Sequence, residues 1–225
     1  MPELSVSRLR AFVAGVTFVV ALLPAVPAAG GPVSGFREDW TAGTRGWTGG
    51  DGPTNPGTGG VNEGDGGQHD GYLFISRTTP GHLGAYSAGT EYAGNWIAAN
   101  IAKVTFCLND VNAADTLEIH MAIGNSANLW QYNTGFHPPL HIWSPFEVDL
   151  TDSTKFTHII IPNDGRGFAA ALQNVEKVHF RHDVAPYGRT PDSVSGDFGV
   201  DRFELVGSLT PVVQSTWGRI KRLYR

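Results

Sequence analysis

The chain contains short runs in which apolar and polar residues alternate with the period of a β-strand. Leu117, Ile119 and Met121 alternate with polar residues, and residues 175–182 show the same pattern. Because successive side chains of a strand point to opposite faces, each run predicts a strand with one buried face. Ten strands are predicted, at residues 36–40, 72–76, 85–87, 103–108, 116–123, 129–132, 146–150, 157–161, 175–182 and 199–206.

The segments between these runs are rich in turn-forming residues, and one short helical turn is predicted at 168–174. The chain has 29 Gly and 14 Pro among 225 residues, which disfavours long helices. Many short strands joined by turns are typical of β-sandwiches. We therefore predict an all-β domain over residues 29–206, an antiparallel two-sheet β-sandwich of the jelly-roll type. Residues 49–71 form a Gly-rich loop, and we expect it to be a mobile cover.

The first 28 residues have the pattern of a cleaved signal peptide. Arg8 and Arg10 precede an uncharged apolar run at 11–23, and small residues follow up to Ala28. Thirteen apolar residues are fewer than the roughly 20 that a membrane-spanning helix needs. We therefore expect a secreted or cell-surface protein without a transmembrane segment. No Asn-x-Ser/Thr sequon is present, which favours a bacterial source over a glycosylated animal matrix.

Charge, cysteine and histidine content exclude several function classes. The formal net charge of −5 disfavours nucleic-acid binding, because phosphates need a basic surface. The single cysteine, Cys107, lies in an apolar run, so we expect a buried thiol and no internal disulfide. The eight histidines lack the spacing of a transition-metal site.

Several segments, taken in order, resemble the laminin IV type A (laminin B) domain of secreted bacterial proteins. One of them is Gly94-Asn95-Trp96; the full set lies at 36–40, 46–47, 66–73, 86–96, 142–148, 178–181 and 196–205. Two positions depart from the family pattern, Gly89 where it prefers Pro and Arg202 where it prefers Asn. The resemblance therefore extends more safely to the broader jelly-roll group that includes carbohydrate-binding modules.

The resemblance implies an extracellular, non-catalytic module for adhesion or glycan binding. In the related sandwiches an acidic residue on the first strand and an Asp on the last often share a structural Ca²⁺. The resemblance thus implies a calcium site formed by Glu38 or Asp39 together with Asp201, completed by backbone carbonyl groups.

Aromatic residues are the candidate ligand contacts, because exposed rings stack on the apolar faces of sugars. Trp130 and Tyr132 are two residues apart on one predicted strand and share a face. Trp143 and Tyr187 lie in or near loops. The partner predicted from these four residues is an extracellular glycan or protein.

Two other functions stay open from the sequence. A polysaccharide hydrolase or lyase would use paired carboxylates, for which Glu118, Glu147 and Asp149 are the candidates. Neither a Gly-x-Ser-x-Gly elbow nor a phosphate-binding loop accompanies these acids. The other possibility is a structural subunit of an extracellular surface assembly.

Residues 207–225 are predicted to be a linker followed by a short basic amphipathic helix. Its candidate attachment residues are Trp217, Arg219, Lys221 and Arg222. A helix of about eleven residues is marginal alone, so it would order against an anionic surface, a polymer or the sandwich itself.

Overall fold

A computed structural model describes residues 30–57, 59–61, 71–87, 89–112 and 116–208. The predicted signal peptide, the tail from residue 209 and most of the Gly-rich loop's second half lie outside the described residues. The strands of the described part are β1 Arg37–Glu38, β2 Leu73–His82, β3 Gly84–Tyr86, β4 Ile101–Asn109, β5 Ile119–Gly124, β6 Leu129–Tyr132, β7 Ser144–Asp149, β8 Phe156–Ile160, β9 Lys177–His182 and β10 Ser193–Gly207. A 3₁₀ turn, Ser153–Lys155, precedes β8, and one α-helix, α1 Phe168–Gln173, precedes β9.

The strands form two five-stranded antiparallel sheets, which confirms the predicted two-sheet β-sandwich. In the first sheet β10 lies at the centre and pairs with β1 and β2 on one side and with β4 on the other. β7 continues this sheet beyond β4. The second sheet has the order β3-β9-β5-β6-β8. The predicted helical turn at 168–174 is confirmed by α1.

Aromatic side chains fill the space between the two sheets, and Phe180 lies among them. Its ring centroid is 4.8 Å from that of Phe106, 5.9 Å from Trp47 and 6.1 Å from Phe203. All four side chains are buried. Edge-to-face and offset contacts of this kind are the favourable geometries for aromatic pairs, so this cluster is the main apolar link between the sheets.

A β-bulge in β10 turns the Phe203 side chain toward the core. Asp201 pairs with Cys107 and Glu204 pairs with Thr105, so β10 carries one residue more than β4 in this interval. Arg202, inside it, has a φ of 51°. The extra residue turns Phe203 inward beside the apolar positions of β4, as expected for a bulge.

Along each strand of the second sheet, side chains face the core and the outer surface in alternation. Val178 and Phe180 of β9 belong to the core, and so does Met121 of β5. The residues between them, His179 and Ala122, therefore lie on the outer face. Within the described residues no helix has the length and apolar character needed to cross a membrane.

Candidate functional site: the outer face of the second sheet

A row of five side chains crosses the outer face of the second sheet. Tyr86 is opposite His179, His179 is opposite Ala122, Ala122 is opposite Gln131, and Gln131 is opposite Thr157. We call these five residues the polar row. With strands about 4.8 Å apart, the row extends over about 19 Å at right angles to the strands. It brings an aromatic ring, an imidazole, an amide and a hydroxyl onto one surface.

The row has its shortest side chain, Ala122, in the middle and an accessible aromatic ring, Tyr86, at one end. Two outward positions of β5, Ala122 and Gly124, have very small side chains that project little from the sheet. Tyr86 is 39% exposed at the β3 edge. The His179 ring lies against it at 5.9 Å, and the Lys177 ammonium group lies 5.1 Å from its ring centroid. One face of this tyrosine is thus supported by the protein.

Gln131 is the least satisfied polar side chain of the row. It is 0% exposed, yet neither its amide nitrogen nor its amide oxygen has a hydrogen-bond partner in the described part of the chain. A buried polar group without a partner costs about 1–3 kcal/mol, so such groups in native proteins usually have a functional explanation. An amide that can both donate and accept therefore lies buried beneath this face without a hydrogen-bond partner in the described residues.

His179 is a neutral imidazole on this surface. Burial lowers its pKa to about 3, and the neighbouring charges of Arg181 and Lys177 act in the same direction. A neutral imidazole offers one donor and one acceptor, as a sugar hydroxyl does.

We expect the His179→Gln variant to lose less stability in acid than the wild-type protein. Since the pKa is about 3 in the folded chain against an ordinary 6.5, the unfolded chain binds more protons between these values. Stability of the wild type therefore falls as pH drops through this window, and Gln removes that contribution. Urea unfolding at about pH 7 and about pH 4.5 measures the difference. If His179→Gln and the exposed-site control His82→Gln lose the same stability between about pH 7 and about pH 4.5, the lowered pKa of His179 is contradicted.

Residues 183–192, which we call the strap, lead from β9 to β10 along one side of this face. The Arg181 guanidinium ties the strap down by donating to the Asp183 carboxylate at 2.9 Å and to the Gly188 carbonyl at 2.8 Å. Tyr187 donates its hydroxyl to the Asn133 carbonyl at 2.9 Å. Burial lowers the pKa of Arg181, while Asp183 opposes that shift. The strap is thus fastened to the sheet by a buried ion pair and a tyrosine.

Tyr187 covers the middle of the polar row. Its ring packs against an apolar cluster of Ala122, Leu129 and Ile159 on the outer face. Ala122 is opposite Gln131, and Leu129 is two residues before it on β6. The cluster therefore surrounds Gln131 with apolar side chains, which accounts for the burial of its amide.

Of the four aromatic residues predicted as ligand contacts, the structure places one on this face, Tyr187. Trp130 and Tyr132 share a strand face as predicted, but that face points inward. Trp130 stacks on His158 at 4.1 Å and meets Phe168 at 5.5 Å, while Tyr132 is buried.

Trp143 lies on the other side of the molecule, where its indole nitrogen donates to the Gly59 carbonyl at 2.9 Å. Its ring packs against Tyr72 at 5.2 Å between centroids.

Tyr86, His179 and Gln131 are not among the site residues predicted from the sequence. The alternation in 175–182 does indicate that His179 lies on the face of its strand away from Phe180, and this pattern is what could have pointed to it. The register that aligns the three residues follows from strand order, which the sequence pattern does not contain.

The acids considered for catalysis lie on different sheets. Glu118 comes just before β5 in the second sheet, whereas Glu147 and Asp149 belong to β7 in the first. Glu147 pairs with Lys103 at 3.1 Å. A hydrogen bond from the Thr151 hydroxyl, together with further contacts from Thr151 and Lys155, lowers the pKa of Asp149. Glu118 therefore does not face Glu147 or Asp149 across one substrate, whereas Glu147 and Asp149 lie two residues apart on β7.

The residues predicted to hold calcium have protein partners. Glu38 accepts from Arg45 Nε and from the Trp40 backbone N–H, both at 3.0 Å, and Asp39 pairs with Arg37 at 2.7 Å. Asp201 is buried and accepts from the Val61 backbone N–H at 2.6 Å. Nowhere in the described ranges do three or more His, Cys, Asp or Glu side chains cluster to hold a metal. Calcium binding at these residues stays a prediction, and no function is built on it.

A depression of about 650 Å³ on the outer face of the first sheet is a weaker candidate. Its lining includes Cys107, Glu147 and Glu204. The aromatic rings at its edge, Phe106 and Phe146, pack with the core side and lie 6.3 Å apart between centroids. It thus lacks the exposed aromatic ring that marks the second sheet.

Comparisons with known proteins found structural likenesses only. The family 11 carbohydrate-binding module of the cellulosomal cellulase Lic26A-Cel5E of Clostridium thermocellum has a TM-score of 0.47 at 18% identity, covering 78% of this chain and 96% of that one. The same organism's family 11 module in complex with a β-1,3-1,4-mixed-linked tetrasaccharide has a TM-score of 0.48 at 19% identity, covering 79% and 98%. An exo-β-agarase has a TM-score of 0.46 at 9% identity, covering 69% and 22%.

Sequence comparisons add no relative. No family model matches the chain, and no curated protein matches it. The resemblance to the laminin IV type A domain therefore stays a prediction, and the structural neighbours, at this distance, assign neither a ligand nor a binding site.

Proposed function

We propose that this protein binds a glycan chain on the outer face of its second sheet, by stacking and hydrogen bonding and without bond chemistry. The observation that carries the proposal is Gln131, a buried amide with no hydrogen-bond partner among the described residues, inside a row that begins at the exposed ring of Tyr86.

The chemistry of the row matches that of a sugar chain. Sugar hydroxyls both donate and accept hydrogen bonds, and so do the amide of Gln131 and the neutral imidazole of His179. The Thr157 hydroxyl donates its hydrogen to Asn133 at 2.6 Å and can accept one from a sugar. Tyr86 offers a flat ring for the apolar face of a sugar. Because the row is about 19 Å long, it suits an extended chain better than a single sugar unit.

The main test replaces the unpartnered amide by an apolar side chain of similar shape. We expect Gln131→Met to raise the free energy of unfolding by about 1–3 kcal/mol, since the buried amide makes no hydrogen bond within the described part of the chain. The same variant should bind its glycan about tenfold more weakly, which corresponds to about 1.4 kcal/mol. Urea unfolding and isothermal titration calorimetry measure the two effects.

The control for this test is Gln173→Met, a change at an exposed residue of α1. It should leave both stability and affinity within experimental error of wild type. If Gln131→Met binds as tightly as wild type, the amide is not part of a ligand site.

A polysaccharide panel separates binding from catalysis. Retention on one or more polysaccharides in affinity electrophoresis, without release of reducing sugar, is the expected result. Release of reducing sugar that disappears in Glu118→Gln would favour the hydrolase or lyase instead. Absence of binding to plant, algal, fungal and bacterial polysaccharides alike would count against the proposal.

We further propose that the protein acts outside the cytoplasm of a bacterium, as an adhesion module whose basic tail contacts the cell surface. The support is the signal-peptide pattern of residues 1–28 and the four positive charges at 219–225. Fractionation into cytoplasm, envelope and medium tests this proposal. Full-length chain found in the cytoplasm alone would contradict it.

A further inference from the structure

An apolar groove of about 570 Å³, which we call the end groove, lies where β4 begins and β10 ends. Its apolar lining comes from Ile101, Leu150, Phe168 and Leu172, which are buried, and from Ile97, which is 47% exposed. The four buried residues belong to the main core, so the groove is an opening onto that core. An apolar side chain placed in the groove would cover Ile97 and extend the core outward.

The described part of the chain leaves the domain at the end groove. Ser208 directly follows β10 and is one of the residues that line the groove. Its backbone N–H donates to the Asn100 carbonyl at 3.0 Å, and its own carbonyl accepts from the Asn100 side-chain amide at 3.3 Å. Asn100 also lines the groove. The tail, residues 209–225, therefore starts at the edge of the groove.

In the helix predicted at residues 215–225, apolar and basic side chains separate onto two faces. With about 100° between successive residues, the large apolar side chains fall within an arc of about 120°. They are Trp217, Ile220, Leu223 and Tyr224. The four cations fall on the opposite side, within an arc of about 160°. They are Arg219, Lys221, Arg222 and Arg225. So short a helix is marginal alone, so it needs a partner for its apolar face.

The linker is long enough to bring this helix back onto the domain. Residues 209–214 extend over at most about 20 Å, and a helix over residues 215–225 is about 16 Å long. The groove volume lies within the range of about 300–1,000 Å³ that is typical of ligand pockets. Trp217 is the first aromatic residue of the tail after Ser208. It is therefore the side chain best placed to enter the groove.

The rim of the end groove is acidic on the side of Thr151 and Ser153. Asp152 lies between these two lining residues, and Asp149 accepts from the Thr151 hydroxyl at 2.6 Å. Lys155 is 3.3 Å from Asp149 and 4.0 Å from Asp152, so one cation faces two carboxylates. The net charge left at this rim is negative, which suits a basic segment.

The charges of the whole chain show the same complementarity. The tail carries four of the 16 Lys and Arg residues and none of the 21 acids, so the rest of the chain has a net charge of −9. Docking the tail on its own domain therefore brings opposite charges together.

We propose that the tail docks in the end groove of its own chain, with Trp217 seated against Ile97. The apolar face of helix 215–225 covers the groove, and its cations face the acidic rim and the solvent. The docking rests neither on glycan binding nor on contact with a cell surface. It leaves the basic face turned outward, where it is available for the surface contact proposed above.

The direct test is nuclear Overhauser spectroscopy of the full-length protein with labelled Ile and Leu methyl groups. We expect cross-peaks from the Trp217 indole to methyl groups of Ile97 and Leu172. The indole signal is assigned by its loss in Trp217→Phe. If the Trp217 indole shows no cross-peak to Ile97, the proposal is overturned, and this outcome does not depend on the folding of any variant.

Trypsin digestion of the tail gives the second readout. Residues 219–222 contain three trypsin sites, and docking protects them because cleavage requires a locally open chain. Ile97→Glu puts a charge into the groove, and Trp217→Ser removes the anchor. In both variants the tail should be cleaved about tenfold faster than in wild type.

Ile161→Glu is the matched control for Ile97→Glu. It makes the same change at an isoleucine that is 70% exposed and does not line the end groove. Its tail should be cleaved at the wild-type rate. Thermal unfolding verifies that both variants are folded. Equal cleavage rates in wild type and Ile97→Glu would overturn the proposal.

Two other occupants of the groove or partners of the tail would be recognised in the same experiments. A dimer in sedimentation, with tail protection that disappears on dilution, would assign the groove to the tail of a second copy. Protection seen only with vesicles that contain phosphatidylglycerol would assign the apolar face of the tail to a membrane. Either result overturns docking within one chain, whereas a monomer whose tail is protected without vesicles supports it.

Discussion

Replacing Phe180 with Ala is expected to lower the free energy of unfolding by about 3–5 kcal/mol. The ring lies between the two sheets and touches Trp47, Phe106 and Phe203. Because these neighbours are anchored on different strands and a loop, they cannot close the space that the ring leaves. The loss therefore combines transfer of the ring to water with the cost of a cavity.

Urea unfolding followed by tryptophan fluorescence measures this effect. Phe74→Ala is the control, because Phe74 is only half-buried and packs at the edge of Tyr72, 6.4 Å away. We expect the control to cost about 1 kcal/mol or less. A cost below about 1 kcal/mol for Phe180→Ala would mean that the aromatic cluster is not the main link between the sheets.

Replacing Asp183 with Ala is expected to cost about 3–5 kcal/mol, since it leaves Arg181 buried without its carboxylate. Arg181 is 1% exposed, and its bonds to Asp183 and Gly188 fasten the strap. The variant should therefore also open the strap, and Tyr187 should become more exposed.

Thermal unfolding measures the stability loss, and proteolysis within residues 183–192 reports opening of the strap. Asp192→Ala is the matched control, because Asp192 is an exposed acid of the same strap whose carboxylate accepts from the Val184 backbone N–H at 2.8 Å. It should cost about 1 kcal/mol. Equal losses of stability in Asp183→Ala and Asp192→Ala would show that the buried ion pair with Arg181 contributes no more than an exposed acid does.

Most of the sandwich was predictable because one face of each strand is buried. Alternation identified the central strands of the second sheet, where core residues such as Met121 and Phe180 alternate with residues of the outer face such as Ala122. It missed the first half of β10, because residues 193–197 pair with β2 where neither face is fully buried. It also placed the end of β2 too early, since residues 78–82 are mostly exposed and carry no apolar pattern.

The candidate site was less predictable, because it depends on strand order. Tyr86 and His179 are 93 positions apart along the chain, yet they are opposite each other in β3 and β9. The pattern around Trp130 showed that it shares a face with Tyr132 but not whether that face points inward or outward. Packing against α1 decides this point, because Phe168 covers the Trp130 ring.

The measurement that tests the central claim most directly is nitrogen-15 chemical-shift mapping of the full-length protein during titration with the polysaccharide fragment that it binds best. The account predicts that the largest shifts fall on Tyr86, His179 and Gln131, with those of Tyr187 close behind. Largest shifts around Cys107 and Glu204 on the first sheet, with the polar row unchanged, would contradict it.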